Sequence, residues 1–457
     1  MHAPSIRRMT GLLLTSSALA VAPLPPGADH HVILLRAEKV IVRPGEVLEN
    51  AQVLVVDGRI AAVGTDLTAP EGAEVVDGKV VCAGFLDPWS SLGVTSGSLK
   101  DTRADAATRT VDGLDPYGSE LAREEARAAG VLVVRVQAGT LASISGYGAW
   151  CSTGPGTDLG SLVLLDDATQ DAMVGLSSRG TVDVFDRISA ADKVGENVRS
   201  GLDYGYEWVK YEGELAAWKE ATAKAETELE KDFKKAKKDR DKDIEEAEED
   251  GKEFKEKKYK EDKKPSPPKH DAEKAALARV ANGEVPLVVE CYRAAELRAL
   301  LAGTAGFDRL RLVIAGGTEA LAVADQLAAR RIPVIVNPVP LGAGRPDHLA
   351  EHDLSLAARL AEEGVPVLLG SGGGPASRDL PLLAATAIGH GLDAEEAFAA
   401  LTYRAARLLD VADQVGSVQR GRRADLLVLS GEPLALTTSI THVLVGGQVV
   451  VAPEEDQ

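Results

Sequence analysis

Aromatic residues are scarce in this chain of 457 residues: Trp, Tyr and Phe together make up 4%. A core is therefore expected from Ala, Val, Leu and Gly rather than from stacked rings. Cysteine is scarcer still, with Cys82, Cys151 and Cys291 far apart in the chain. Each lies in or beside an apolar run, where a free thiol behaves as a small hydrophobe, so no disulfide framework is indicated. A basic excess is missing too. The formal net charge of −19 leaves no cationic face for nucleic acid and disfavours anionic membrane surfaces. Beyond the N-terminal stretch, no segment is apolar enough to span a bilayer. Apolar content of 45% is ordinary for a globular protein, and the length allows two or three domains or one large barrel with an appended module.

The first residues read as an export signal. Arg7 and Arg8 precede a short apolar run from Gly11 to Ala22, and Ala18-Leu19-Ala20 offers a small-x-small cleavage pattern. Residues 1–22 are thus expected to be a signal peptide. The mature protein is then extracytoplasmic, periplasmic by preference, with no membrane contact after cleavage. A non-cleaved anchor is the alternative, and the paired arginines leave the export route open.

Both ends of the remaining chain are β-rich. Val32–Arg36, Lys39–Val42 and Gln52–Val56 are strand-like, and Asp57-Gly58 is a hairpin signal leading into Arg59–Gly64. Near the C-terminus, Ala424–Leu429 and the pair His442–Val445 and Gln448–Val451, joined by Gly446-Gly447, mirror this. The termini are expected to form one composite β domain from residues 32–80 and 415–452. The middle, 81–414, alternates apolar strands with amphipathic helices, the pattern of a parallel α/β core. Gly146-Tyr147-Gly148 and Gly154-Pro155-Gly156 read as tight turns after the strand Val131–Val136. Residues 212–264 interrupt the pattern with Lys, Glu, Asp and Ala, and read as a solvated, partly helical insertion held by local ion pairs. A coiled coil is only weakly supported there. Lys264–Lys269, rich in proline, ends it as a tether, and a partner-binding arm is the alternative.

Three stretches carry a resemblance. They are Asn50 to Gly64; Val81-Cys82-Ala83-Gly84-Phe85-Leu86-Asp87; and Gly391–Ala397 through Leu401-Thr402, Gly416-Ser417-Val418, Gly421 and Ala424–Leu429. In this order they resemble the amidohydrolase superfamily, in particular its imidazolonepropionase-like branch, over roughly residues 32–452 without the insertion. The resemblance implies a distorted (β/α)8 barrel with a composite β-sandwich. It implies an active site at the C-terminal ends of the strands, one or two divalent metals such as zinc, and hydrolysis of C–N, non-peptide bonds by metal-activated water.

The residues at the implied site are unusual. In the family the strand ending at Asp87 continues Asp-x-His-x-His; here Trp89 and Ser91 stand at the histidine positions. An indole N–H only donates, and a neutral hydroxyl is a poor zinc ligand. Glu290 falls where a later strand commonly offers histidine, Gly316 and Gly317 where another is usual, and Ser371-Gly372 where the family often has Ser-Asp. Gly370–Gly374 contains no acid in any register. The expectation is a degenerate site without a metal cofactor, which binds a small molecule or a partner at the barrel mouth. Asp87 and Glu290 are the acids placed to act as a general acid/base pair. The plainer reading has Asp87 capping the strand–loop turn and Glu290 pairing with Arg293 or Arg135.

Other candidates are weaker. His348-Leu349-Ala350-Glu351-His352 fits an inverted zinc-peptidase pattern, but its polar setting reads as a solvated helix start. His390 suits a helix end. His270 lies in the tether, His442 on a C-terminal strand, and His30 and His31 are expected to be disordered. Two rival functions stay open: a working hydrolase with an unconventional site that includes Asp87 and Glu290, and a structural subunit docking through the insertion.

Overall fold

The computed structural model describes residues 30–94, 105–137, 143–174, 184–250, 263–339, 353–373 and 375–453. The expected signal peptide and the His348–His352 motif lie outside these residues.

The strands are β1 (Val32–Arg43), β2 (Glu46–Val56), β3 (Arg59–Gly64), β4 (Glu74–Ala83), β5 (Phe85–Ser90), β6 (Val131–Val136), β7 (Ile144–Ser152), β8 (Val163–Met173), β9 (Leu287–Cys291), β10 (Leu312–Gly316), β11 (Val334–Val336), β12 (Val367–Leu369), β13 (Leu426–Leu429), β14 (Ile440–Val445) and β15 (Gln448–Val451). The helices are α1 (Glu120–Ala128), α2 (Leu159–Leu162), α3 (Val184–Asp250), α4 (Ala272–Ala281), α5 (Ala294–Gly303), α6 (Ala324–Ala329), α7 (Leu356–Glu362), α8 (Leu380–Gly389), α9 (Ala394–Leu401) and α10 (Tyr403–Leu408).

The two chain ends build one seven-stranded sheet in the order β15-β14-β13-β4-β1-β2-β3. Its own apolar layer includes Ile33, Leu35, Val53, Val81, Leu426 and Leu444. The expected strands at 32–36 and 39–42 are a single β1, because Ala37 stays buried and in register with Ala51 across the gap between them. The Ala424-Asp425 motif joins sheet to barrel. Gly84 N–H donates to the Asp425 carbonyl at 3.0 Å, and the Asp425 carboxylate accepts from Arg423 Nε and from Gly446 N–H.

The middle of the chain forms an eight-stranded sheet, β12-β11-β10-β9-β8-β7-β6-β5, curled into a nearly closed barrel. Strands β8 to β12 run parallel, and β9 to β12 are apolar nearly throughout, as strands buried on both faces must be. The barrel is distorted at one place. β7 is antiparallel to both β6 and β8. The glycines at 146 and 148, read above as a turn, lie inside β7, and every residue of that strand is buried.

The charged segment is also organised differently. It continues α3, one helix of 67 residues that already begins at Val184. At 1.5 Å per residue it is about 100 Å long. Its first turns pack on α4 and α5 through Ala191, Val194, Val198, Gly201 and Tyr204, a stripe spaced three and four apart. After Tyr204 the described side chains are half-buried or exposed, and ion pairs such as Lys224–Glu220 support the helix locally. The chain returns beside its point of departure: Asp271 N–H donates to the Tyr204 hydroxyl at 3.2 Å.

Candidate functional site

The barrel mouth is built where the two edge strands of the eight-stranded sheet, β5 and β12, approach each other. No ladder joins them; Asp87 does much of that work. Its Oδ1 accepts Trp89 N–H and Ser371 N–H, each at 3.1 Å, and its Oδ2 accepts the Ser377 hydroxyl at 2.7 Å. Ser377 Oγ in turn lies 2.8 Å from Ser90 Oγ. Two further bonds reach the Trp89 carbonyl, from Gly373 N–H at 2.9 Å and from the Ser371 hydroxyl at 3.1 Å. Asp87 is fully buried, and burial pushes its carboxyl above the usual carboxylate range against the opposing pull of these donors. Asp87 accepts from Trp89 N–H two residues on, within β5, and its reach extends across the barrel seam.

Trp89 and Ser91 are both buried beside this seam. The Trp89 indole packs next to Gly373, and among the described residues its Nε1 has no hydrogen-bond partner. An orphaned buried donor costs roughly 1–3 kcal/mol. Gly373 has φ +76°, and a β-carbon there would sit 2.8 Å from both Trp89 Nε1 and Gln137 Nε2. Asn337, just past β11, donates to the Ser371 carbonyl at 3.2 Å and borders Gly372.

Glu290 is elsewhere. It lies on β9, four strands along the sheet from β5, and accepts the Tyr292 hydroxyl at 2.7 Å. None of Asp87's hydrogen bonds goes to Glu290, so the structure does not bring the two acids together as a proton-transfer pair. Tyr292 occupies the space over Gly316: a β-carbon at that glycine, φ +93°, would lie 2.5 Å from the ring. Glycine at 316 is what lets the phenol ring lie there.

The expected partner Arg135 is engaged differently. Fully buried, it donates to the Pro88 carbonyl at 2.6 Å, to Thr169 Oγ1 at 2.9 Å and to Asp171 at 2.7 Å. This ion pair ties β5, β6 and β8 together. It was missed because Asp171 sits on a strand the sequence did not reveal. Asp171 and Glu290 share a face of the sheet, since Asp171 is paired with Val288 and Met173 with Glu290. Arg293, the other expected partner, binds Glu319 at 3.0 Å. His30, expected to be disordered, is 2.6 Å from Asp57. His442 lies on β14 and His390 caps α8, both outside the mouth.

The profile of the amidohydrolase family matches residues 236–450. An amidohydrolase from Thermotoga maritima is similar over 92% of this chain and 100% of its own, with 23% identity and a TM-score of 0.66. The chain shares the fold of this amidohydrolase. A prolidase solved with N-methylphosphonate-L-proline is similar at 15% identity and TM-score 0.51, covering 92% of this chain and all of its own. Molinate hydrolase is similar at 14% identity and TM-score 0.51, over 93% of this chain and 95% of its own. A search of curated proteins finds no match.

Amidohydrolases usually use divalent metals, and among the described residues the donor set at this barrel mouth does not fit one. Among the described residues no three His, Cys, Asp or Glu side chains group as ligands. Asp87 spends both oxygens on seam hydrogen bonds, Trp89 offers only a donor, and Gly316 and Gly372 offer no side chain. A cationic guanidinium, Arg135, is bonded to the strand that would carry the first ligands.

Proposed function

We propose that this amidohydrolase-fold protein has exchanged metal-dependent hydrolysis for binding, and that it holds a small molecule at the barrel mouth without a catalytic metal. The observation that supports this most is the state of Asp87. The Asp87 carboxylate commits three of its roughly four acceptor sites to Trp89, Ser371 and Ser377, which holds it to the seam rather than toward a metal or a substrate proton. The ion pair of Arg135 with Asp171 supports the same reading, because it places a fixed cation inside the barrel wall.

Elemental analysis of the purified protein tests this. The expected result is zinc, iron and manganese far below one per chain, with no rise in Tm on adding zinc. Near-stoichiometric metal together with a Tm rise would make the protein a working hydrolase with an unconventional ligand set. Export belongs to the same proposal and rests on residues 1–22. Mature protein recovered from the periplasm is expected to begin shortly after Ala20; cytoplasmic protein with an intact N-terminus would remove export from the reading.

A further inference from the structure

The reading above leaves open what the mouth recognises, and the geometry around Trp89 narrows it. Trp89 is 3% exposed, yet among the described residues its Nε1–H has no acceptor. Gln137, directly after β6, brings its side-chain nitrogen to the same glycine. Both nitrogens lie 2.8 Å from the position of a Gly373 β-carbon, so they are at most about 5.6 Å apart. One oxygen accepts a normal hydrogen bond from each where the two nitrogens stand closer than this limit, clear of Gly373 Cα. Ser371, Gly372 and Gly373 are half-buried, so solvent reaches the edge of the shelf, although the indole Nε1 itself is closed off from it. It also lies at the C-terminal ends of the barrel strands, the face where ligands of such barrels bind.

Charge selects the kind of oxygen. The donors are an indole and a carboxamide, both neutral, with the Asn337 carboxamide beside them. The charges touching this stretch are the Asp87 carboxyl and Arg135, the latter balanced by Asp171. Among the described residues, an incoming anion would meet the acidic Asp87 and no unpaired cation at this stretch.

We propose that Trp89 Nε1 and Gln137 Nε2 together bind the oxygen of an uncharged carbonyl group, above Gly373, so that a protein donor pair receives the oxygen with no metal beside it. This rests on the metal-free reading.

The chain has four tryptophans, so indole 15N–1H spectra of the full protein give four resolvable signals. Trp89→Phe assigns the Trp89 signal. Trp150, whose Nε1 donates to the Leu409 carbonyl at 2.9 Å, is an internal reference. The probes are 2-pyrrolidinone as a neutral carbonyl and acetate as an anion. We expect a saturable downfield shift of Trp89 alone with 2-pyrrolidinone, and a response to acetate weaker by about tenfold. Gln137→Leu is expected to weaken the 2-pyrrolidinone response by about tenfold while the other indole signals stay in place. No saturable shift with either probe overturns the site. An equal response to acetate overturns its neutrality, and an unchanged response in Gln137→Leu overturns the donor pair. Metal content of the same sample is read separately. Stoichiometric zinc removes the metal-free reading whatever Trp89 does, whereas a silent Trp89 in metal-free protein removes this inference alone.

Discussion

Ser377 donates its hydroxyl to Asp87 at 2.7 Å, a bond between residues 290 positions apart that closes the barrel at the seam between β5 and β12. The same aspartate that would begin the family's ligand motif is here a structural acceptor.

Replacing Asp87 separates charge from hydrogen bonding. Burial raises its pKa, so at pH values above the usual carboxylate range the folded state retains a proton that the unfolded chain releases. Stability therefore falls as pH rises from the unfolded pKa to the folded one, and levels off above it. Asp87→Asn keeps an acceptor for Trp89 N–H and Ser371 N–H and removes the titration. Its urea midpoint is expected to be flatter than the wild type's between about pH 4 and 8. Asp87→Ala orphans buried donors and should cost about 3 kcal/mol. A parallel pH profile for Asp87→Asn would show that Asp87 does not titrate abnormally.

Arg135 and Asp171 make a second, sharper test. Arg135→Met leaves the Asp171 carboxylate buried without its cation and should cost about 3–5 kcal/mol in chemical denaturation. The double variant Arg135→Met, Asp171→Leu should regain most of that loss. Equal losses in single and double variants would mean the guanidinium's bond to the Pro88 carbonyl matters more than the ion pair.

Much of this architecture was legible in the chain because strands buried on both faces read as continuous apolar runs. Leu287–Cys291 and Leu312–Gly316 are such runs, and Asp393, within the Gly391–Ala397 stretch, caps α9 through Glu395 N–H and Glu396 N–H. What stayed hidden follows from local signals overruled by long-range contacts. The glycines of β7 resemble turn residues, and only pairing with β6 and β8 makes them strand. The start of α3 is masked by Gly195, Gly201 and Gly205, which interrupt the helical pattern yet sit where the helix packs against α4 and α5. With β8 unread, the partner of Arg135 could not be named. The missing ligands at Trp89, Gly316 and Gly372 were visible from residue type alone. Their consequence, an indole N–H facing Gly373 without an acceptor among the described residues, needed coordinates.

Tyr292 and Gly316 offer a steric test. Gly316→Ala sets a methyl against the phenol ring at a φ of +93° and is expected to lower stability by about 1–3 kcal/mol. Tyr292→Phe removes only the hydroxyl's bond to Glu290 and should cost about 1 kcal/mol. Thermal unfolding of both variants checks the ranking, and a neutral Gly316→Ala would place the ring elsewhere.

The three thiols should be silent in the native protein. All are buried, and burial pushes Cys151 up to about 12 and raises Cys82 and Cys291 as well. Because the thiolate is the reactive form, a thiol reagent at pH 8 should modify none on the timescale that labels all three in denaturant. Fast labelling of a single cysteine would reveal local opening of the strand that carries it.

From Tyr204 to Asp250 the helix α3 extends about 70 Å, against a physiological screening length of about 8 Å. Whatever meets its distal end is electrically inaudible to the buried acids of the barrel. Signals between the two, if they travel, must do so as mechanical leverage on the turns that press against α4 and α5.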